Sequence, residues 1–176
     1  MSRPAVDPCE LPAQSLLAAY RRAGSYADCY ATQVARTVSH AAYVEAFYTT
    51  GLFRLERQLL AWFAARPSSD GQAQQLARGT TERFAAWQVE ARAENQLLLC
   101  DFKGRTRSWL MSAPGQGAGA TRLFFGSAVV PAVDRRTGRA HMGFMFKALL
   151  GFHRLYSRAL LRAAARRLAR ADAAVK

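Results

Sequence analysis

His153 and Tyr156 are the two residues whose types and spacing bear most directly on chemistry inside this chain. Met142, Phe146, Leu149, His153, Tyr156, Leu160 and Ala164 recur at steps of three and four, so they share one stripe of a helix. An imidazole and a phenol on an apolar stripe need polar partners. They are either satisfied core groups, with the histidine bonded to a strand, or polar anchors or an acid–base set for a bound ligand. Arg107 is the one charge on a strand face shared with Trp87 and Trp109, and is either a buried anion receptor or a side chain that snorkels out at an edge. Glu56, in helical register with Leu52 and Leu59, either reaches a pocket floor or is a solvated glutamate beside Arg57. Arg154, Arg158, Arg162, Arg166 and Arg170 step by four along another side of the last helix. This guanidinium ladder faces solvent or an anionic surface.

Other chemistries lack their required settings. Gly115, Gly117 and Ala120 fit a G-x-G-x-x-A dinucleotide fingerprint, but the pyrophosphate site needs a helix next, and the Phe- and Val-rich strand Thr121 to Val130 follows instead. Gly126-Ser127-Ala128 lacks the second half of a nucleophile elbow and sits within a strand. His40, His141 and His153 are far apart with no cysteine pair near them, so no metal site is expected, and no cofactor. Cys9, Cys29 and Cys100 are odd in number and widely spaced. They point to a reducing, cytoplasmic setting rather than a disulfide framework.

A length of 176 residues suits one domain with a real core. The formal charge of +13 comes almost wholly from arginine, the lysines being Lys103, Lys147 and Lys176. An Arg- and Ala-rich bias is also what a GC-rich genome produces, so nucleic acid is not the expected partner; an interaction surface formed by the ladder, in peripheral contact with an anionic membrane or on nucleic acid, is the alternative. Met1 to Gln14 holds acidic residues and prolines where a signal peptide needs an apolar core. The apolar runs Leu123 to Val133 and Met142 to Phe152 are short of the ~18 residues of a membrane span.

These side chains must be positioned by the following elements. Residues 1–24 form an extension, loose to Pro12, with a short helix from Ala13 to Arg22 stopped by Gly24. A first strand runs from Ser25 to Val38. Ser39 caps a helix from His40 to Tyr48, and a second helix continues past Gly51 toward Pro67. Pro67 to Gly71 reads as a loop. From Phe84 the period becomes two, giving a meander with tight turns at Glu94-Asn95 and Lys103-Gly104, then the strand Thr121 to Val130 after a Gly-rich loop. Two-residue loops would put Trp87, Val89, Ala91, Leu98, Cys100, Phe102, Arg107, Trp109 and Met111 on one face; a three-residue loop would swap the faces of one strand. Ala140 to Asp172 reads as one helix of about 32 residues, ~48 Å long. The order makes an α+β domain, residues 25–176, with the last helix laid across a strongly curved antiparallel sheet, leaving a cavity between them.

Four segments carry a resemblance: LPAQSLLAAYRRAGSYADCY, WQVEARAENQLLLCDFKGRTRSWL, TRLFFGSAVVP and FKALLGFHRLYSRALLRAAARRL. In this order they resemble the helix-grip, START-like or SRPBCC superfamily, and an uncharacterised bacterial branch of it. The resemblance implies a pocket for a small apolar or amphipathic ligand, and the superfamily includes enzymes of the same fold, though no catalytic residue transfers to a position here. Together with the meander register, the expected pocket lining is Trp87, Val89, Leu98, Cys100, Arg107, Trp109, Met111, Leu149, His153 and Tyr156. With Arg107 and His153 across from each other, the expected ligand carries an acid on an apolar body.

Overall fold

The computed structural model describes residues 5–64, 68–133, 140–141 and 144–170, and the side chains of these except 56, 59–64, 132–133, 140–141 and 144–150. Its strands are β1 (Asp7–Pro8), β2 (Tyr26–Val34), β3 (Arg83–Phe84), β4 (Trp87–Ala93), β5 (Gln96–Asp101), β6 (Thr106–Pro114), β7 (Thr121–Val129), β8 (Ala132–Val133) and β9 (Ala140–His141). Its helices are α1 (Ala18–Arg22), α2 (His40–Tyr48), α3 (Gly51–Ala64), α4 (Asp70–Arg78) and α5 (Phe144–Arg170). Seven strands form one antiparallel sheet in the order β1-β2-β7-β6-β5-β4-β3, and α5 crosses one face of it beside α2. The fold is therefore α+β, a sheet with a long C-terminal helix.

Local chemistry explains most boundaries. The Ser39 hydroxyl accepts the Ala42 N–H at 3.2 Å and starts α2, as its position predicts. Helix α4 is an addition to the sequence expectation and takes Asp70 and Gly71 from the expected loop. Ser69 and Gln72 form a reciprocal capping box and Gly79 closes the helix at φ 75°, but only Ala73 and Leu76 are buried, too few for a visible stripe. The cap spacing Ser69-x-x-Gln72 was the signal available. The first helix is shorter than expected, Ala18–Arg22, and α5 starts at Phe144 because Ala140–His141 pairs with Ala132–Val133 as a two-stranded ribbon.

Both faces of β5, β6 and β7 are buried, and the face that meets α5 is not the one expected to line the pocket. The inner face, toward α5, α2 and α3, carries Leu97, Leu99, Leu110, Leu123 and Phe125 against Tyr43, Phe47, Tyr48, Phe53, Leu160, Leu161 and Ala164. The outer face carries Leu98, Trp109, Met111 and Phe124, covered by Leu11, Leu17 and their neighbours in the N-terminal segment. Leu98, Cys100, Arg107, Trp109 and Met111 thus lie on the face away from α5. The meander turns keep the expected parity, with Ala93 opposite Gln96 and Cys100 opposite Arg107. A bulge at Glu90 adds one residue to β4, so Ala91 pairs Leu98 on the outer face while Val89 pairs Leu99 on the inner one. Trp87 and Val89 consequently pack against the inner core, parted from the rest of the expected set.

Gly126 marks where the outer face is tightest. A Cβ there would sit 2.7 Å from the Asp28 carbonyl oxygen, 2.9 Å from Leu17 Cδ2 and 3.0 Å from Trp109 Cε3, so only glycine lets the indole and Leu17 close over β7.

At the start of α2, His40 lies in a cavity of about 760 Å³ lined also by Glu94, Asn95, Ser112 and the Gly115–Ala120 loop. Its Nδ1 is 3.4 Å from Ser112 Oγ, while the buried Nε2 has no partner among the described residues. Burial, with Arg92 nearby as the lesser cause, lowers its pKa from 6.5 to about 4. The unfolded chain therefore binds the proton more readily, and stability is complete above pH 6.5 and is lost as pH falls toward 4, by roughly 3 kcal/mol. Thermal melts from pH 7 to 4 should show this loss in the parent and not in His40→Gln; parallel pH profiles would refute it.

Candidate functional site

The register lines up a polar row on the apolar inner face. Asp28 of β2 is opposite Ser127 of β7, which is opposite Ser108 of β6. From above, α5 lowers His153 onto this row and α2 lowers the Tyr48 hydroxyl, 3.3 Å from Ser108 Oγ. Asp28 is the hub. Its Oδ1 accepts the Ser127 N–H at 3.1 Å and the Ser127 hydroxyl at 2.6 Å, and its Oδ2 accepts the Tyr26 hydroxyl at 3.2 Å. His153 Nε2 lies 2.7 Å from Ser127 Oγ and 3.4 Å from Asp28 Oδ2. Burial disfavours the Asp28 charge, yet the bonds from His153 and Ser127 outweigh it and hold the carboxyl below the usual carboxylate range.

That ionised carboxylate decides the proton arrangement. Ser127 has one hydroxyl proton, and the 2.6 Å approach to Asp28 needs it, so His153 Nε2 must be the donor toward Ser127 Oγ. A hydrolase triad runs the other way, with the imidazole taking the serine proton and the acid bonded to the ring's second nitrogen. Here one nitrogen faces both serine and acid. The constellation orients an imidazole and leaves Nδ1, which has no bond to the described residues, as the free position on a ring whose side chain is 29% exposed.

Beside this row, β1 ends and the edge of β2 opens into a groove of about 350 Å³. One wall is the N-terminal segment with Pro8, Cys9 and Leu11, and the other is α5 with Arg154 and Arg158. Asp28 and Tyr26 line it, and Arg21 stands at its rim. Arg158 lies over the Tyr30 ring at 5.3 Å, and its buried Nε has no partner among the described residues. Arg154 donates to the Tyr26 hydroxyl, which raises the arginine's pKa. Burial, then the Asp28 charge, pushes the Tyr30 phenol up to about 12. With Asp28 already taking three hydrogen bonds and facing His153 Nε2 at 3.4 Å, the uncompensated charge in the groove is positive.

The expected residues are therefore divided. His153 and Tyr156 do face inward; the histidine is bonded to a strand, and Tyr156 stacks on exposed Phe152 at 5.9 Å. Arg107 is no pocket receptor: on the outer face it donates through Nε to Glu90 and to the Tyr20 hydroxyl, both at 2.9 Å, and lies over the Tyr20 ring at 4.6 Å. It cannot meet His153, because the sheet lies between them. Cys100 Sγ points to the Asp101 carbonyl at 3.3 Å. The side chains of Leu149 and Glu56 lie outside the described residues. Of the ladder, Arg154, Arg166 and Arg170 are exposed while Arg158 and Arg162 are half-buried, so its first two members belong to the groove and the last two to solvent. Sequence reasoning missed Asp28 and Tyr26, and it weighs Ser127 only as a nucleophile. The alternation Tyr26, Asp28, Tyr30 in a first strand, with one acid among aromatics, was the signal.

No group of three or more metal-ligating side chains occurs among the described residues, and no described helix is long and apolar enough to cross a membrane. No family model matches the chain, and no curated protein matches it. Among solved structures, CalU16 from Micromonospora echinospora is similar over 98% of this chain and 96% of its own, at 12% identity and a TM-score of 0.34. Similarity at that level does not establish a common fold.

Proposed function

We propose that this chain is a helix-grip protein of the START-like kind that binds a small amphipathic ligand bearing an acidic group. The ligand lies in the groove at the β2 edge, between the N-terminal segment and α5, with its acid at Arg154 and Arg158. The observation that carries this reading is the pairing of Arg158 and Arg154 on α5 with the Asp28–Ser127–His153 row, beside an open stretch of the β2 edge. The element order, with its long helix last, supports the fold assignment, as does the resemblance of the four segments noted above. A carboxylate there gains charge-assisted bonds from guanidinium and an apolar wall from Leu11, Tyr26 and Tyr30.

The test is thermal-shift and fluorescence titration with a panel of fatty and aromatic acids, each beside its methyl ester. Acids should bind about tenfold more tightly than their esters, and Arg158→Gln should remove that difference, since about 1.4 kcal/mol is a factor of ten. Equal affinity for acid and ester, or an unchanged preference in Arg158→Gln, would exclude the groove as the acid site. No response to any ligand of the panel would exclude the function.

A further inference from the structure

The three cysteines are not equivalent in space, although their spacing in sequence suggested no pairing. Cys9 continues β1 one step past Pro8, and its N–H donates to the Cys29 carbonyl at 2.9 Å. This sets the two cysteines opposite each other on neighbouring antiparallel strands. In a hydrogen-bonded pair of this kind facing Cα atoms are about 5.5 Å apart, within the span a disulfide bridges. Their Sγ atoms are in contact at 2.9 Å. Cys29 is buried and Cys9 half-exposed, so one sulfur is open to a reagent in solution and the other waits behind it. Cys100 is on β5, committed to the Asp101 carbonyl.

We propose that Cys9 and Cys29 are a disulfide-forming site that staples the N-terminal segment to the edge of the sheet. The oxidant class is a low-molecular-weight disulfide. The Cys9 thiolate attacks it, expelling one small thiol and forming a mixed disulfide. The Cys29 thiolate then attacks the Cys9 sulfur and expels the second. The protein loses two hydrogens, and the oxidant becomes two thiols. The Cys29 hydrogen bond, opposed by burial and aided by Arg122, lowers the Cys9 thiol below its ordinary range, while the Cys9 bond and burial raise Cys29; this favours Cys9 as the first attacker. The cross-link joins positions 20 residues apart and encloses Leu11, Leu17 and α1, the cover of the outer core. It does not depend on what the groove binds.

The full chain, reduced and then incubated with oxidised glutathione, tests this. Its intact mass should fall by two hydrogens, alkylation should then label Cys100 alone, and a peptide map should join the Cys9 and Cys29 peptides. The melting temperature should rise by about 6–12 °C and return on reduction. Cys9→Ser and Cys29→Ala should each remove both effects, whereas Cys100→Ser should keep them. Stable glutathione adducts on both sulfurs, disulfide-linked dimers, or both thiols still open to alkylation would each overturn the proposal.

Discussion

Trp109→Ala is expected to lower the unfolding free energy by about 4 kcal/mol, because a large side chain buried to 0% exposure leaves a cavity that its rigid neighbours cannot fill. The midpoint should fall by roughly 8–16 °C for a chain of this size. The indole packs with Phe124 at a ring separation of 6.3 Å, sits against Gly126, and donates its Nε1–H to Gln96 Oε1 at 2.9 Å. The same Gln96 oxygen accepts the Leu16 N–H at 2.9 Å and its amide donates to the Gln14 carbonyl at 3.2 Å, so the indole is wired to the N-terminal cover. Hydrogen exchange should therefore quicken in residues 14–20 of the variant as well as in β6. A chemical denaturation curve with an unchanged midpoint would show that the outer face is not a second core. Trp109→Phe, which keeps most of the volume but loses the hydrogen bond, should cost less.

Asp28→Ala should produce the second large effect, about 3 kcal/mol, since it strands the Ser127 N–H, the Ser127 hydroxyl and His153 around an empty position. Asp28→Asn should be nearly as costly, because an amide nitrogen must replace one acceptor with a donor where Tyr26 and Ser127 already donate. The pH dependence has a definite sign. The folded pKa of Asp28 is depressed, so its contribution is complete above the unfolded value of 3.8 and is lost as pH falls through the lower folded value. Acid unfolding of the parent should therefore include a loss in this range that Asp28→Asn lacks. The same substitution frees the His153 ring from its anchor, and exchange of the backbone amides near residue 153 in α5 should accelerate. Melting curves of parent and variant that stay parallel from neutral pH to below 3.8 would refute the hub role of Asp28.

Much of the architecture follows from short-range pattern. The Ser39 cap, the break at Gly51, the period-two meander and its tight turns, and the helical stripe bearing His153 are each written within a few residues. Backbone geometry imposes those periods wherever the segment lies in the fold. The stripe also determines that His153 looks inward, since Leu160 and Ala164 share its side of the helix and are buried. What covers each face of the sheet is decided differently. One extra residue at Glu90 reverses the parity of β4, and the N-terminal segment, with little periodicity of its own, becomes the cover for Trp109. The partners of His153 are likewise a tertiary outcome. Ser127 is 26 residues away and Asp28 lies 99 residues from Ser127, and only the antiparallel register of β2 with β7 sets serine and acid side by side beneath α5. Alternation along a strand specifies which residues share a face; which face meets the helix, and which acid meets the histidine, depends on strand order and packing that no local period encodes.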